Sequence, residues 1–294
     1  MRFNPGGVLA ALAIAALLAA TPARADDASP TASTPAASTP IASSPSDSQP
    51  PQSAPTGNPQ ADSQSSPQDK SPTCDIPAHL LTTDSALTKV ADVVKNSQPL
   101  NILVVGSRSS TINTSETSAY PARLQDMLKE KLPAVAVSVS VELRPKKTAE
   151  EMVAELPKLV EDKKPTLVIW QTGTVNAMRS IDPDDFRSAV DQGIAALQKA
   201  GTDVILMNLQ YSPRTETMIS ASPYLDTMRV VAQQYDVPLF DRFAIMQQWN
   251  DSGDFDLFSA SHGLDLAKRV HDCLGRALSV FVLDAARINT AQQN

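Results

Sequence analysis

The chain is poor in the residues that most often announce chemistry. Two cysteines and three histidines are spread over 294 residues. So few cannot supply a ligand set, and no His/Asp/Glu group has metal-ligand spacing, so neither a metal nor a cofactor is expected. Glycine is scarce too, with ten in all. None follows Gly106 at the intervals of a dinucleotide-binding turn. Lysine and arginine total 25 against 32 acidic residues, for a net charge of −7. With no basic cluster, nucleic acid is an unsuitable partner. No apolar run reaches the roughly 20 residues that cross a bilayer, and no internal repeat is evident.

What is present changes character along the chain. Arg2, the apolar stretch from Val8 to Ala20 and the triplet Ala23-Arg24-Ala25 predict an export signal over residues 1–25. The mature protein is therefore expected in the periplasm or outside the cell, with no stable membrane span after cleavage. Residues 26–73 contain no aromatic side chain and 10 of the 23 prolines. They cannot bury enough apolar surface to offset chain ordering, which predicts a disordered Pro/Ser/Thr-rich tether. Residues 74–286 are of single-domain size, and 287–294 read as a flexible tail. Cys74 opens the domain and Cys273 lies in its last predicted helix, so in an oxidising compartment a disulfide between them is expected. Nothing in the sequence marks an oligomeric state.

Helical and strand patterns alternate through the domain. Helices are predicted at Asp84–Asn96, Ala119–Leu132, Thr148–Glu161, Asp184–Ala200, Pro223–Tyr235 and Asp265–Leu283. Thr148 with Glu151 forms a capping box, and Gly201 stops the fourth of these helices. Strands are predicted at Leu100–Val105, Val135–Val141, Thr166–Gln171, Asp203–Asn208 and Val237–Phe240. Short apolar runs separated by helices imply right-handed βαβ units and an α/β fold with a mainly parallel sheet. Ligands in such sheets lie at the carboxyl ends of strands. Gly106, Gly173, Asn208 and Gln210 all fall there.

Three stretches carry the chemical pattern. One is the strand and turn ending Gly106-Ser107-Arg108-Ser109-Ser110-Thr111. The second is Val168 to Asn176, with Trp170-Gln171-Thr172-Gly173-Thr174-Val175-Asn176. The third, Ser261-His262-Gly263-Leu264-Asp265, precedes the last helix. With Tyr120 to Leu124 and Met207 to Tyr211 between them, these blocks resemble the SGNH/GDSL hydrolases over roughly Leu100 to Leu278. Exported bacterial members with a Gly-Ser-Ser-Ser-Thr first turn are the most similar. The resemblance implies a three-layer α/β/α sandwich, SGNH-hydrolase-like and flavodoxin-like. It also implies ester hydrolysis, by a serine on a tight turn, oxyanion donors, a histidine base and a carboxylate that orients it.

At each working position this chain differs from the pattern. Arg108 stands at the nucleophile position. The second block, Glu142 to Lys147, has no glycine, and Pro145 removes a backbone donor. Val175 takes the asparagine place, His262 the aspartate place and Asp265 the histidine place. Losing one oxyanion donor costs ~10²–10³ in rate, and losing a nucleophile or base on the order of 10⁶. A degenerate member is the first reading. It would bind a cell-envelope saccharide or an acyl ester in the former cleft, where Arg108, Arg144, Lys146 and Lys147 favour an anionic group. The second reading is an active or weak ester hydrolase. Its nucleophile is Ser107 or Ser109, His262 its base, Asp265 the orienting acid and Asn176 an oxyanion donor. Trp249 and Tyr211 are read as cleft residues, Trp170 as core, and His79 and His271 as structural.

Overall fold

The computed structural model describes residues 74–112, 115–258 and 263–289. The expected signal and tether, Ser261, His262 and residues 290–294 lie outside them. The elements are Thr88–Lys95 (α1), Leu100–Gly106 (β1), Tyr120–Lys131 (α2), Val137–Leu143 (β2), Ala149–Val153 (α3), Leu156–Lys163 (α4), Leu167–Gln171 (β3), Thr174–Met178 (α5), Pro183–Lys199 (α6), Asp203–Met207 (β4), Pro213–Met218 (α7), Ser222–Gln234 (α8), Leu239–Phe240 (β5), Arg242–Asp251 (α9) and Gly263–Ala285 (α10).

All five strands are parallel, in the order β2-β1-β3-β4-β5. That is the flavodoxin-like order, in which connections run one way from β1 and the other way from β3. Right-handed crossovers in opposite directions put their helices on opposite faces. Accordingly α2 packs against α10, while α6 packs against α4 and α8. The result is the expected three-layer α/β/α sandwich. The central strands are covered on both sides: Ile102 to Val105 and Leu167 to Trp170 are all buried. The edge strand β2 is instead mostly uncovered, with Val137 buried and Ser138, Ser140 and Val141 exposed. The reversal between β1 and β3 opens a crevice at their carboxyl ends, beside Ser107 and Gln171.

Two local features depart from the sequence reading. The helix expected over 148–161 is two helices, α3 and α4. Pro157 offers no N–H to the Val153 carbonyl, so the first segment ends there. Its start is as expected: the Glu151 N–H donates to Thr148 Oγ1 and the Thr148 N–H to Glu151 Oε2. The short helices α5, α7 and α9 were not anticipated. Each follows a strand, and each is too short or too evenly apolar to show a period.

The expected disulfide is present. Cys74 and Cys273 are bonded, with Cα atoms 5.4 Å apart and a sequence separation of 199. Past α10 the chain does not leave the domain at once. Ile288 packs against the core, and an Arg287 Nη2 donates to the Asp84 carbonyl.

Candidate functional site

The crevice at the sheet's switch point is organised by one side chain, Gln171, the last residue of β3. Its Nε2 donates to Ser109 Oγ at 2.8 Å and to Ser107 Oγ at 3.0 Å. Its Oε1 accepts from Ser110 Oγ at 2.7 Å and from Arg242 Nη1 at 3.0 Å. The Tyr120 hydroxyl is shared between Ser110 Oγ and Gln171 Oε1. The arginine can only donate, which fixes the amide with its oxygen towards Arg242. Ser107 and Ser109 lie 3.2 Å apart, oxygen to oxygen, and Arg242 Nη1 also donates to Ser109 Oγ.

A nucleophilic serine needs an acceptor for its proton. Here the two candidate serines are met by donors, the amide of Gln171 and the guanidinium of Arg242. Among the described residues no carboxylate or imidazole hydrogen-bonds to Ser107 or Ser109.

On the Ser107 side the crevice is nearly closed. The space bounded by Gly106, Ser107, Arg144, Lys147, Gly173 and Val175 is about 10 Å³, about the room of a single water. Two of the four cations expected to give this cleft an anionic preference, Arg144 and Lys147, are neutralised within the fold. Arg144 pairs with Glu155 and Glu142, Lys147 with Glu155, and Lys163 with Glu142. Lys147 and Arg144 hold the Glu155 carboxyl below its ordinary range; Lys163, then Arg144, does the same for Glu142. Arg108 is exposed and without an ion pair among the described residues, and Lys146 is exposed as well.

Asn176 is committed elsewhere. Its Oδ1 accepts from the Ala149 N–H at 3.0 Å and its Nδ2 donates to the Glu150 carboxylate. With 0 % of its surface exposed, it ties α5 to α3 and is not positioned as an oxyanion donor. Gly173 caps α5 with φ 95°, and a side chain there would strike Leu209. Asp265 is exposed in the first turn of α10, where a carboxylate complements the helix dipole. The expected base, His262, lies outside the described residues.

The other side of the Gln171 network is open. A cavity of about 230 Å³ lies between α9, α10 and the chain after β4. Ser109, Gln210, Tyr211, Arg242 and His271 line it, together with the apolar side chains of Met246, Leu257, Leu266, Val270 and Leu274.

Arg242 is 0 % exposed. Asn208, just past β4, sets it in place. The Asn208 Nδ2 donates to Asp241 Oδ1, and its Oδ1 accepts the Phe243 N–H. Asp241 caps α9 through the Ala244 N–H, so Arg242 becomes the helix's first residue and points inward. Burial lowers its pKa to about 10, which still leaves it charged at neutral pH. Its Nε and Nη2 have no hydrogen-bond partner among the described residues.

His271 faces the same space from α10. Its Nδ1 accepts the Tyr120 N–H at 3.0 Å, so the neutral ring carries its proton on Nε2. Burial, then repulsion from Arg242, pushes its pKa down to about 4. It is a donor at neutral pH and cannot accept a serine proton through Nε2 in that tautomer.

Sequence reasoning placed Ser107, Ser109, Gly106 and Gly173 at the crevice, and Gln210 and Tyr211 at the cavity. It missed Arg242 and gave His271 no site role. A signal for Arg242 existed: a lone arginine between Phe240 and Phe243, directly after an Asp able to cap a helix. Trp249, read as a cleft residue, is core. It is 0 % exposed, packs edge-on against Phe255 and donates from Nε1 to the Asp75 carbonyl. Trp170 is core as expected, its ring lodged against Gly193. Among the described residues no His/Cys/Asp/Glu group could hold a metal, and no helix is long and apolar enough to cross a membrane.

Comparisons with known proteins agree with this frame. The chain is 26% identical over 147 residues to thioesterase 1/protease 1/lysophospholipase L1 of Escherichia coli K12; the match covers 48% of this chain and 66% of that protein. The chain thus spans just under two thirds of that relative's length. Among solved structures, LAE5, an alpha/beta hydrolase from the metagenome of Lake Arreo, superposes with a TM-score of 0.50 at 16% identity, over 63% of this chain and 96% of that one. A catalytic mutant of Axe2, an acetylxylan esterase from Geobacillus stearothermophilus, gives 0.50 at 13% identity, over 62% and 94%. These likenesses are of fold. A sequence profile for the non-GDSL lipase-like family matches residues 73–288, the whole of the domain, so the chain belongs to the non-GDSL lipase-like family and its strand-end motifs are those of an SGNH/GDSL hydrolase relative.

Proposed function

We propose that this protein is an exported, catalytically silent member of its family that binds a ligand carrying an acyl chain rather than hydrolysing an ester. The observation that carries the reading is the donor environment of the two candidate nucleophiles. Gln171 Nε2 donates to both Ser107 and Ser109, and Arg242 Nη1 donates to Ser109 as well. Donors aimed at a hydroxyl oxygen draw its lone pairs away from attack, and no described base is within hydrogen-bond reach to take the proton. The space beside Ser107, about the size of one water, is also small for a scissile carbonyl with its oxyanion donors.

Between the two ligands expected from the sequence, the apolar wall of the open cavity favours an acyl chain over a saccharide. The thioesterase/lysophospholipase and acetylxylan esterase names of the relatives are in keeping with a ligand that carries an acyl group. The competing reading is a weak ester hydrolase with Ser109 as nucleophile and His262 as base. Ser109's place on the cavity wall favours it.

Incubation with short-chain aryl esters and a serine-reactive phosphonate separates the two. A silent domain gives neither turnover nor labelling. Turnover or labelling that disappears in Ser107→Ala, Ser109→Ala or His262→Ala would overturn the proposal.

A further inference from the structure

The cavity between α9 and α10 pairs a buried, unneutralised positive charge with an apolar trough. Arg242 is fully enclosed, has no carboxylate partner among the described residues, and keeps two guanidinium nitrogens unbonded. An uncompensated charge in a low-dielectric interior is costly, and an anion placed nearby offsets that cost. The groups that meet the cavity beside it are donors. His271 offers Nε2–H, because its Nδ1 is occupied by the Tyr120 N–H. The Ser109 oxygen accepts from Gln171 and Arg242, so its hydroxyl proton, whose resting acceptor is Ser107 Oγ at 3.2 Å, can turn to a ligand in the cavity. The remaining wall is Met246, Leu257, Leu266, Val270 and Leu274.

We propose that this cavity is a binding site for a monocarboxylate with an unbranched apolar tail. The carboxylate is held by Ser109 and His271 over Arg242, and the tail lies along the Met246, Leu266 and Val270 side. The guanidinium sits beneath the cavity floor, so its attraction acts across a short, poorly screened gap while Ser109 and His271 donate directly.

The charge count selects the class. Arg242 supplies one positive charge and His271 stays neutral, so a monoanion is matched. A phosphate dianion would leave a buried negative charge, and an ester or an uncharged sugar would leave the guanidinium uncompensated. The volume selects the length. At roughly 30 Å³ for each water, about eight waters would fill it, which is the scale of a medium-chain acid. This assignment deepens the proposed function and rests on it, since the bound species is an acid that no step of hydrolysis consumes.

The test titrates the full chain calorimetrically with octanoate, methyl octanoate, acetate and inorganic phosphate. Octanoate is expected to bind, with the other three at least tenfold weaker. Arg242→Met is expected to weaken octanoate at least tenfold and Arg242→Lys to weaken it less. Leu266→Trp keeps the charge but fills the trough, and should abolish binding in a protein whose network is intact. Methyl octanoate binding as tightly as octanoate overturns the proposal. So does acetate or phosphate binding as tightly, octanoate affinity unchanged in both Arg242→Met and Leu266→Trp, or no octanoate binding at all. Ester turnover lost in Ser109→Ala would instead remove the silent reading and leave the carboxylate selectivity standing.

Discussion

Replacing Arg242 by methionine should make the protein more stable. The guanidinium's pKa falls from its ordinary value to about 10 because burial disfavours the charged form. At 1.36 kcal/mol per pH unit that fall corresponds to about 3 kcal/mol of destabilisation. A cation whose pKa is lower folded than unfolded carries this cost at every pH below about 10, and the cost is relieved only as pH rises above that value. Methionine has a stem of similar length and no charge to bury.

What is lost is two donations from Nη1, to Gln171 Oε1 and to Ser109 Oγ. Neither acceptor is orphaned. Gln171 Oε1 keeps Ser110, and Ser109 Oγ keeps Gln171. Those losses cost about 1–2 kcal/mol, so the net gain is about 1–2 kcal/mol. For a domain of this size each kcal/mol moves Tm by about 2–4 °C. The assay is urea denaturation at pH 7 with a thermal scan alongside. A variant less stable than wild type by 1 kcal/mol or more would refute the reasoning, because the guanidinium would then be compensated by something other than the bonds described.

Three further outcomes follow from the same structure. His271 has a pKa of about 4 folded against 6.5 unfolded, so the unfolded chain takes up its proton first. Stability should fall as pH drops from 6.5 towards 4, by up to about 3 kcal/mol at 1.36 kcal/mol per pH unit; denaturation of His271→Gln over that range should show a shallower decline. Cutting the Cys74–Cys273 bond, which closes 199 positions of chain, should cost about 5 kcal/mol on the chain-entropy model; Cys74→Ala with Cys273→Ala, compared by thermal scanning, reads this directly. Asn176→Ala should destabilise by about 2–3 kcal/mol, because it strands the Ala149 N–H and removes a donor to Glu150. It should leave octanoate affinity unchanged, whereas a role for Asn176 at the binding site would alter that affinity.

How much of this was readable in advance depended on the range of the interactions involved. The strands β1 and β3 were legible because both faces are covered, so Leu103-Val104-Val105 and Leu167-Val168-Ile169 are written as unbroken apolar runs. The strand-end turns followed, since Gly106 and Gly173 sit where such runs stop. The cysteine pair was legible because an exported chain with two cysteines offers one pairing. Asn176 misled for a local reason. A turn of the form Gly-Thr-Val-Asn looks like an oxyanion turn, and the partners that claim its amide come from a segment 26 to 27 residues earlier. Arg242 was illegible for the opposite reason. Beside Asp241 it reads as one half of a solvated ion pair, yet Asp241 faces Asn208 and the helix end. Only the meeting of β3, α9 and α10 determines that the guanidinium turns inward.

That inward turn links the lost chemistry to the proposed ligand. A serine hydrolase needs an acceptor beside its nucleophile and a neutral pocket for an ester. This chain has a donor on both sides of Ser109 and a fixed positive charge under the open cavity. Arg242 has a part in both changes: its guanidinium donates to Ser109 Oγ beside Gln171 and adds to the burial that lowers the pKa of His271. If Arg242 were merely a packing residue, methionine would serve as well and fold better. Its presence at a net cost of about 1–2 kcal/mol is the pattern of a site that gives up stability for binding. The stabilised Arg242→Met protein should therefore also be the one that has lost its affinity for the carboxylate, and a variant showing only one of the two effects would separate the charge from the site.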